Sequence, residues 1–308
     1  MPGNLTDPLY CGRFAPSPTG PLHFGSLVAA VGSYLDARCR NGRWLLRIED
    51  IDTPRNVAGA ADDILRTLDA FGFAWDGPVL FQSSRLAAYA EALAQLRSAR
   101  LVYPCACSRK EIADSARRPA VDGGLAYPGI CRGGLPPGRT ARAWRLRVDD
   151  QPLAFTDRVQ GTVIQHLESD VGDFVLQRAD GLFAYQLAVA VDDAFQGISA
   201  IVRGADLLAS TPRQIWLQRC LGYPTPSYAH LPVVSNAAGE KLSKQTLAPP
   251  LEVARAAEQL VRALAFLGQP VPPALATAGV GEVWAWAFDH WRFASVPRRH
   301  FIPLSTQG

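Results

Sequence analysis

Lysine is nearly missing from this chain. Of its 31 Lys and Arg residues only Lys110, Lys241 and Lys244 are lysines. A strongly basic tract is missing too, and the formal net charge is only +3, so composition gives little support for a broad grip on nucleic acid. No apolar run reaches the roughly eighteen residues that a membrane-spanning helix needs. The N-terminus lacks a basic segment leading into an apolar one, so neither a membrane nor a secretory signal is expected. Six cysteines at irregular spacing in 308 residues exclude a disulfide framework, and a cytoplasmic location is expected. Neither G-x-G-x-x-G nor a Walker A sequence occurs, which argues against a dinucleotide dehydrogenase and a P-loop ATPase. There is no internal repeat.

Hydrophobic residues make up 48% of the chain, enough for a sizeable core. Two distant segments have chemistry suited to ATP. Residues Arg13 to Ser26 read RFAPSPTGPLHFGS: an apolar start, a Pro- and Gly-rich turn, then a helical pattern opening near Leu22. His23, Gly25 and Ser26 are expected in the first turn. Unpaired backbone N–H groups and the positive end of a helix dipole suit a phosphate there. The second segment is Lys241-Leu242-Ser243-Lys244-Gln245, which holds two of the three lysines. A compact ammonium is a good partner for a leaving pyrophosphate.

Between these segments the pattern alternates strand and helix. Strands are predicted over Leu9 to Phe14, Trp44 to Ile48, Ala143 to Val148, Ile198 to Val202 and His230 to Val234. Helices are predicted over Leu22 to Cys39, Ala58 to Phe71, Ser84 to Leu96 with Ser84 as cap, and Thr211 to Leu221 with Gly222 as stop. Two more follow, Leu251 to Leu267 and Val280 to Trp291. The fold class is α/β: a Rossmann-like parallel-sheet catalytic domain, an insertion and a short helical C-terminal region. The predicted division is 1–100 and 172–246 for the two catalytic halves, 101–171 for the insertion and 247–308 for the C-terminal region.

Pro21 to Ser26 resembles the HIGH signature of class I aminoacyl-tRNA synthetases, and Lys241 to Gln245 resembles their KMSKS loop. Arg13 to Gly20, with Arg47-Ile48-Glu49-Asp50, is similar to the glutamyl-tRNA synthetase branch. The short C-terminal region and the Cys105/Cys107 pair resemble one subfamily, the glutamyl-Q tRNA(Asp) synthetases. The resemblance implies that an anticodon-binding domain is absent. It places Pro16, Gly20, His23, Gly25, Ser26, Lys241, Ser243 and Lys244 around ATP with its Mg²⁺, with His23 and Lys244 catalytic. Ser26 departs from the second His of HIGH, so any phosphate contact there must come from a hydroxyl. Arg13, Phe14, Ala15, Pro16, Ser17, Glu49, Tyr185 and Arg203 match the family's amino-acid pocket. An arginine fork suits a glutamate carboxylate, and Glu49 suits an ammonium. Val189 stands where several relatives of that branch have a polar residue.

Plainer readings compete. His23 could be an ordinary surface histidine, Arg203 could pair with Asp206 or Asp193, and Glu49 and Asp50 could be capping or surface groups. Cys105-Ala106-Cys107 with Cys131 suggests a structural zinc knuckle, or else three buried thiols. The resemblance supplies Tyr127 as a fourth ligand for Zn²⁺. The implied reaction is ATP-dependent activation of L-glutamate and its transfer to queuosine in the anticodon of tRNA(Asp), by a monomer with no membrane partner. The alternatives are a short glutamyl-tRNA synthetase charging a tRNA 3′ end, and an inactive paralogue that binds RNA.

Overall fold

A computed structural model describes residues 10–115, 119–121, 123–236 and 249–304. In chain order the elements begin with β1 (Cys11–Phe14), α1 (Phe24–Arg38), β2 (Arg43–Ile48), α2 (Ala60–Ala70), β3 (Leu80–Phe81) and α3 (Leu86–Ser98). Next come β4 (Val102–Cys105), α4 (Arg109–Ser115), β5 (Ala143–Leu146), β6 (Pro152–Asp157), β7 (Gly161–His166), α5 (Leu167–Asp170) and β8 (Phe174–Gln177). Then follow α6 (Tyr185–Phe195), β9 (Ala200–Gly204), α7 (Thr211–Leu221), β10 (Ser227–Leu231) and β11 (Val233–Ser235). The chain closes with α8 (Ala256–Phe266), α9 (Val280–His290) and β12 (Phe301–Pro303).

Two parallel half-sheets form the frame. One runs β1-β2-β3, and the other runs β9-β10-β6 with β7 antiparallel at its edge. The sheet is therefore mixed rather than purely parallel. The halves meet at β1 and β9, where Ser199 N donates to Cys11 O at 3.0 Å and Cys11 N donates to Ser199 Oγ at 2.9 Å. From β1 the chain moves outward to β2 and β3; from β9 it moves the other way to β10. Such a reversal of strand order opens a crevice at the carboxyl ends of the strands, where α/β proteins bind ligands.

Helix α1 crosses this junction, and Leu27 through Ala37 are buried apart from Ala29. A Cβ on Gly32 would meet Leu231 Cδ1 at 2.5 Å, so glycine lets α1 lie against β10 without displacing that side chain. On its far side Tyr34, Trp44, Phe73 and Trp284 interlock with ring centroids 5.0–5.6 Å apart. Trp284 also donates through Nε1 to Phe71 O at 2.8 Å. The C-terminal helices thus share the catalytic core. A separate antiparallel sheet, β4-β5-β8, ends its first strand at Cys105, against which Cys107 and Cys131 pack. The 101–171 stretch contributes to both sheets, because β6 joins β10 at Asp157–Tyr228.

Several boundaries differ from the sequence reading for local reasons. Ser84 does not cap α3: its Oγ donates to Phe81 O at 2.7 Å, and a 3-10 turn over Gln82–Arg85 precedes the helix. Asp50 ties that turn down, accepting from Ser83 N at 2.8 Å and from Ser83 Oγ at 2.6 Å. The strand expected from His230 to Val234 is split by Pro232, which cannot donate to a ladder, and β11 pairs instead with β12. Helix α7 starts and stops as expected, with Gly222 in the left-handed region at φ 71.

Candidate active site

The crevice holds a cavity of about 600 Å³ at the carboxyl ends of β1, β9 and β10 and the start of α1. Its walls include Arg13, Phe14, Ala15, Pro16, Ser17, His23, Gly25, Ser26, Glu49, Tyr185 and Arg203, so one cavity gathers both sets of expected residues. Gly20 lies outside the lining, while Thr19 is in it. Lys241, Ser243 and Lys244 fall outside the described residues. The segments that flank them touch the site: Val233 and Val234 line the cavity, and Leu251 N donates to the lining residue Leu22 at 2.9 Å.

His23 is the N-cap of α1 rather than part of its first turn. Its Nδ1 accepts from Ser26 N at 3.3 Å, which leaves the ring proton on Nε2 as a donor. The same contact orients the imidazole at the end of the helix, where negative charge is favoured.

At the opposite end, the pocket floor is a chain of buried charges. Arg13 donates through Nε and Nη2 to Asp193 at 3.1 and 3.4 Å. Arg47, fully buried, reaches the same Asp193 at 2.8 Å and Glu49 at 3.2 Å. Two guanidinium groups thus face two carboxylates. Burial pushes Asp193 up, but Arg13 and Arg47 together hold it below the ordinary carboxylate range. For Glu49 burial prevails over Arg47 and Arg13, and its carboxyl is pushed up. Tyr185 is also pushed up by burial.

Arg203 is held differently. The sequence offered Asp206 or Asp193 as its partner; Asp193 is instead taken by Arg13 and Arg47. Arg203 Nε donates to His230 Nε2 at 3.0 Å and Nη2 to Thr211 Oγ1 at 2.8 Å. Among the described residues it has no ion pair with a carboxylate. Its buried Nη1 has no hydrogen-bond partner there either. A buried donor left unmade is costly.

Sequence reasoning gave no role to Arg47, Asp157, Thr211 or His230. The signal for Arg47 was present: it lies on an apolar strand, and Glu49, two residues on, follows directly past the strand's end. His230 gave no comparable signal, because a lone histidine in an apolar strand reads as core.

A second cluster lies on the β4-β5-β8 sheet. The Sγ atoms of Cys105, Cys107 and Cys131 lie within 4.8 Å of one another. Cys107 and Cys131 are 3.6 Å apart, and the Tyr127 hydroxyl is 3.4 and 3.5 Å from Cys105 and Cys107. Tetrahedral zinc, with Zn–S near 2.3 Å, spaces its sulfurs about 3.8 Å apart, so the donor set has the right size. Burial, with the neighbouring Cys105 and Cys131, pushes Cys107 up to about 11, and burial with the hydrogen bonds to Cys105 and Cys107 raises Tyr127, a cost that a bound cation would reverse.

This geometry defines a class I aminoacyl-tRNA synthetase-like ligase. Residues 11–124 and 138–270 match the family model for tRNA synthetases class I (E and Q), catalytic domain. The glutamate-tRNA synthetase of Elizabethkingia anophelis shares the fold, with a TM-score of 0.79 at 23% identity over 97% of this chain and 69% of that one. The chain is 75% identical to the glutamyl-Q tRNA(Asp) synthetase of Dechloromonas aromatica, over 96% of its own length and 98% of the relative's. With its namesake in Chromobacterium violaceum the identity is 59%, over 98% and 100%. The chain belongs to the glutamyl-Q tRNA(Asp) synthetase family. No helix among the described residues is long and apolar enough to cross a membrane.

Proposed function

We propose that the protein activates L-glutamate with ATP and transfers it to queuosine in the anticodon of tRNA(Asp). The observation that carries the glutamate assignment is the buried, unpartnered Nη1 of Arg203 in a cavity that already holds a neutralised charge chain. An incoming side-chain carboxylate supplies the missing acceptor, with Arg13 beside it. Glu49 and Tyr185 receive the substrate ammonium. The glutamate α-carboxylate then attacks the α-phosphate of ATP, the bond to pyrophosphate breaks, and glutamyl adenylate forms. His23 donates from Nε2 to the phosphate as its charge grows, aided by the α1 N-terminus. Lys244 and Lys241 stabilise the departing pyrophosphate. Mg²⁺ carried by the ATP would neutralise part of the phosphate charge. A hydroxyl of the tRNA then takes the glutamyl group and releases AMP.

Cys105, Cys107, Cys131 and Tyr127 hold a structural zinc that fastens the β4-β5-β8 sheet. Metal analysis of protein purified without chelator should find about one zinc per chain, and Cys107→Ser should lose it. Zinc kept by that variant would reject the site.

The names of the relatives support the tRNA(Asp) acceptor. The test supplies labelled glutamate with queuosine-modified tRNA(Asp), unmodified tRNA(Asp) or tRNA(Glu). Label on the modified tRNA(Asp) alone is expected. Efficient labelling of tRNA(Glu) with none on modified tRNA(Asp) would establish a short glutamyl-tRNA synthetase instead. No glutamate-dependent exchange of pyrophosphate into ATP would establish an inactive binder.

A further inference from the structure

Behind Arg203 lies a buried relay that no step above uses. Asp157 ends β6, His230 sits on β10, and Thr211 opens α7; all are within 2% of full burial. Asp157 Oδ1 accepts backbone N–H groups from Val159 at 3.0 Å, Gln160 at 2.8 Å and His230 at 3.1 Å. Its Oδ2 is 2.6 Å from His230 Nδ1. On the far side of the ring, Nε2 meets Arg203 Nε at 3.0 Å.

The proton positions follow from what each group can do. A guanidinium only donates, so His230 Nε2 must accept. The imidazole is then neutral, with its proton on Nδ1 directed at Asp157. Burial, together with the Arg203 charge, keeps it neutral by pushing its pKa down to about 4. Thr211 Oγ1 accepts from Arg203 Nη2, completing two fixed contacts on one side of the guanidinium.

We infer that Asp157 and His230 are positioning residues that clamp Arg203 without cancelling its charge, so that its Nη1 edge keeps a full positive charge for a substrate carboxylate. The inference rests on the reading of Arg203 as a glutamate contact. Its logic comes from what sits between the charges. A carboxylate touching Arg203 would orient it equally well but would neutralise it, as Asp193 does for Arg13. An imidazole between Asp157 and Arg203 passes on orientation through two hydrogen bonds and keeps the opposite charges apart. The tautomer is the critical element: with the proton on Nε2, His230 could no longer accept from Arg203 Nε and would donate instead to Thr211 Oγ1, 3.1 Å away, so the guanidinium would lose that contact.

Asp157→Asn tests this. Asparagine keeps the shape but offers an N–H to Nδ1, which selects the other tautomer, as such exchanges beside an imidazole do. The variant should raise the KM for glutamate in pyrophosphate exchange about tenfold or more, with the KM for ATP changed less than about twofold. Nitrogen NMR of histidine-labelled protein should show the His230 proton on Nδ1 in the wild type and on Nε2 in the variant. His230→Gln, which restores an acceptor near the Nε2 position, should recover glutamate binding better than His230→Leu. If Asp157→Asn does not fold, the Gln–Leu pair alone decides: equal KM values for glutamate overturn the inference. Arg203→Gln run in parallel separates the two readings. An unchanged KM for glutamate in Arg203→Gln removes the glutamate contact itself. A large rise there, with none in Asp157→Asn, overturns only the relay.

Discussion

Arg13 and Arg203 reach the same cavity from neighbouring strands, yet their surroundings differ in kind. Arg13 gives two donors to Asp193, which also takes Arg47, so the β1 side is a closed and locally neutral network. On the β9 side, Arg203 is gripped by a neutral imidazole and a hydroxyl and keeps its charge. The first arrangement builds a rigid floor. The second leaves the buried Nη1 of Arg203 without a hydrogen-bond partner among the described residues. On the proposed reading, the first side braces the pocket in which Arg13 lies beside the substrate, and the second recognises the substrate carboxylate.

That contrast predicts separable failures. The largest effect should come from Asp193→Asn, which leaves Arg13 and Arg47 buried with only Glu49 between them. Breaking a buried pair by removing one partner costs about 3–5 kcal/mol, so urea unfolding should show a marked loss of stability. A midpoint within about 0.5 kcal/mol of wild type would mean that the network is not structural. Arg203→Gln should reverse the pattern. Loss of one charge-assisted contact made to substrate lowers kcat/KM for glutamate by about 2–3 kcal/mol, while the unfolding midpoint stays close to wild type.

Acid should strain the β9 side. His230 in the unfolded chain takes up a proton below about 6.5, whereas in the folded protein it does so only near about 4. Protonation therefore favours unfolding across that interval. Stability from this group is fully present above about 6.5 and is lost as pH falls toward 4. Thermal melts of His230→Gln should lack this part of the slope; identical slopes in both proteins would place the acid sensitivity elsewhere. The smallest effect belongs to Thr211→Val, which removes one hydrogen bond from Arg203 Nη2. It should cost about 1 kcal/mol in glutamate affinity, with ATP affinity unchanged.

Much of this was legible in the sequence. The turn and helix start around His23, the strand carrying Arg47 with Glu49 just past its end, and the Cys105/Cys107 pair all bear local signals, because glycines, prolines and alternating charges dictate short-range geometry. The relay was not legible. Asp157, Thr211 and His230 come from three elements, and nothing local to any of them announces the others. Their meeting depends on β6 joining β10 and on α7 following β9 through the Ala205–Ser210 turn, a topology fixed by long-range packing. The same reason hid the partner of Arg203. Sequence proximity suggested Asp206, but the sheet brought His230 to its Nε and sent Asp193 to Arg13.

The ratio of kcat/KM for glutamate to that for glutamine, read by pyrophosphate exchange in wild type and Arg203→Gln, tests the central claim most directly. If Arg203 carries the uncompensated charge, the wild-type ratio should be large, because a neutral amide leaves a buried cation without its carboxylate, and it should collapse toward one in the variant. A ratio that stays high in Arg203→Gln would contradict the account and move recognition of the carboxylate to the Arg13 side.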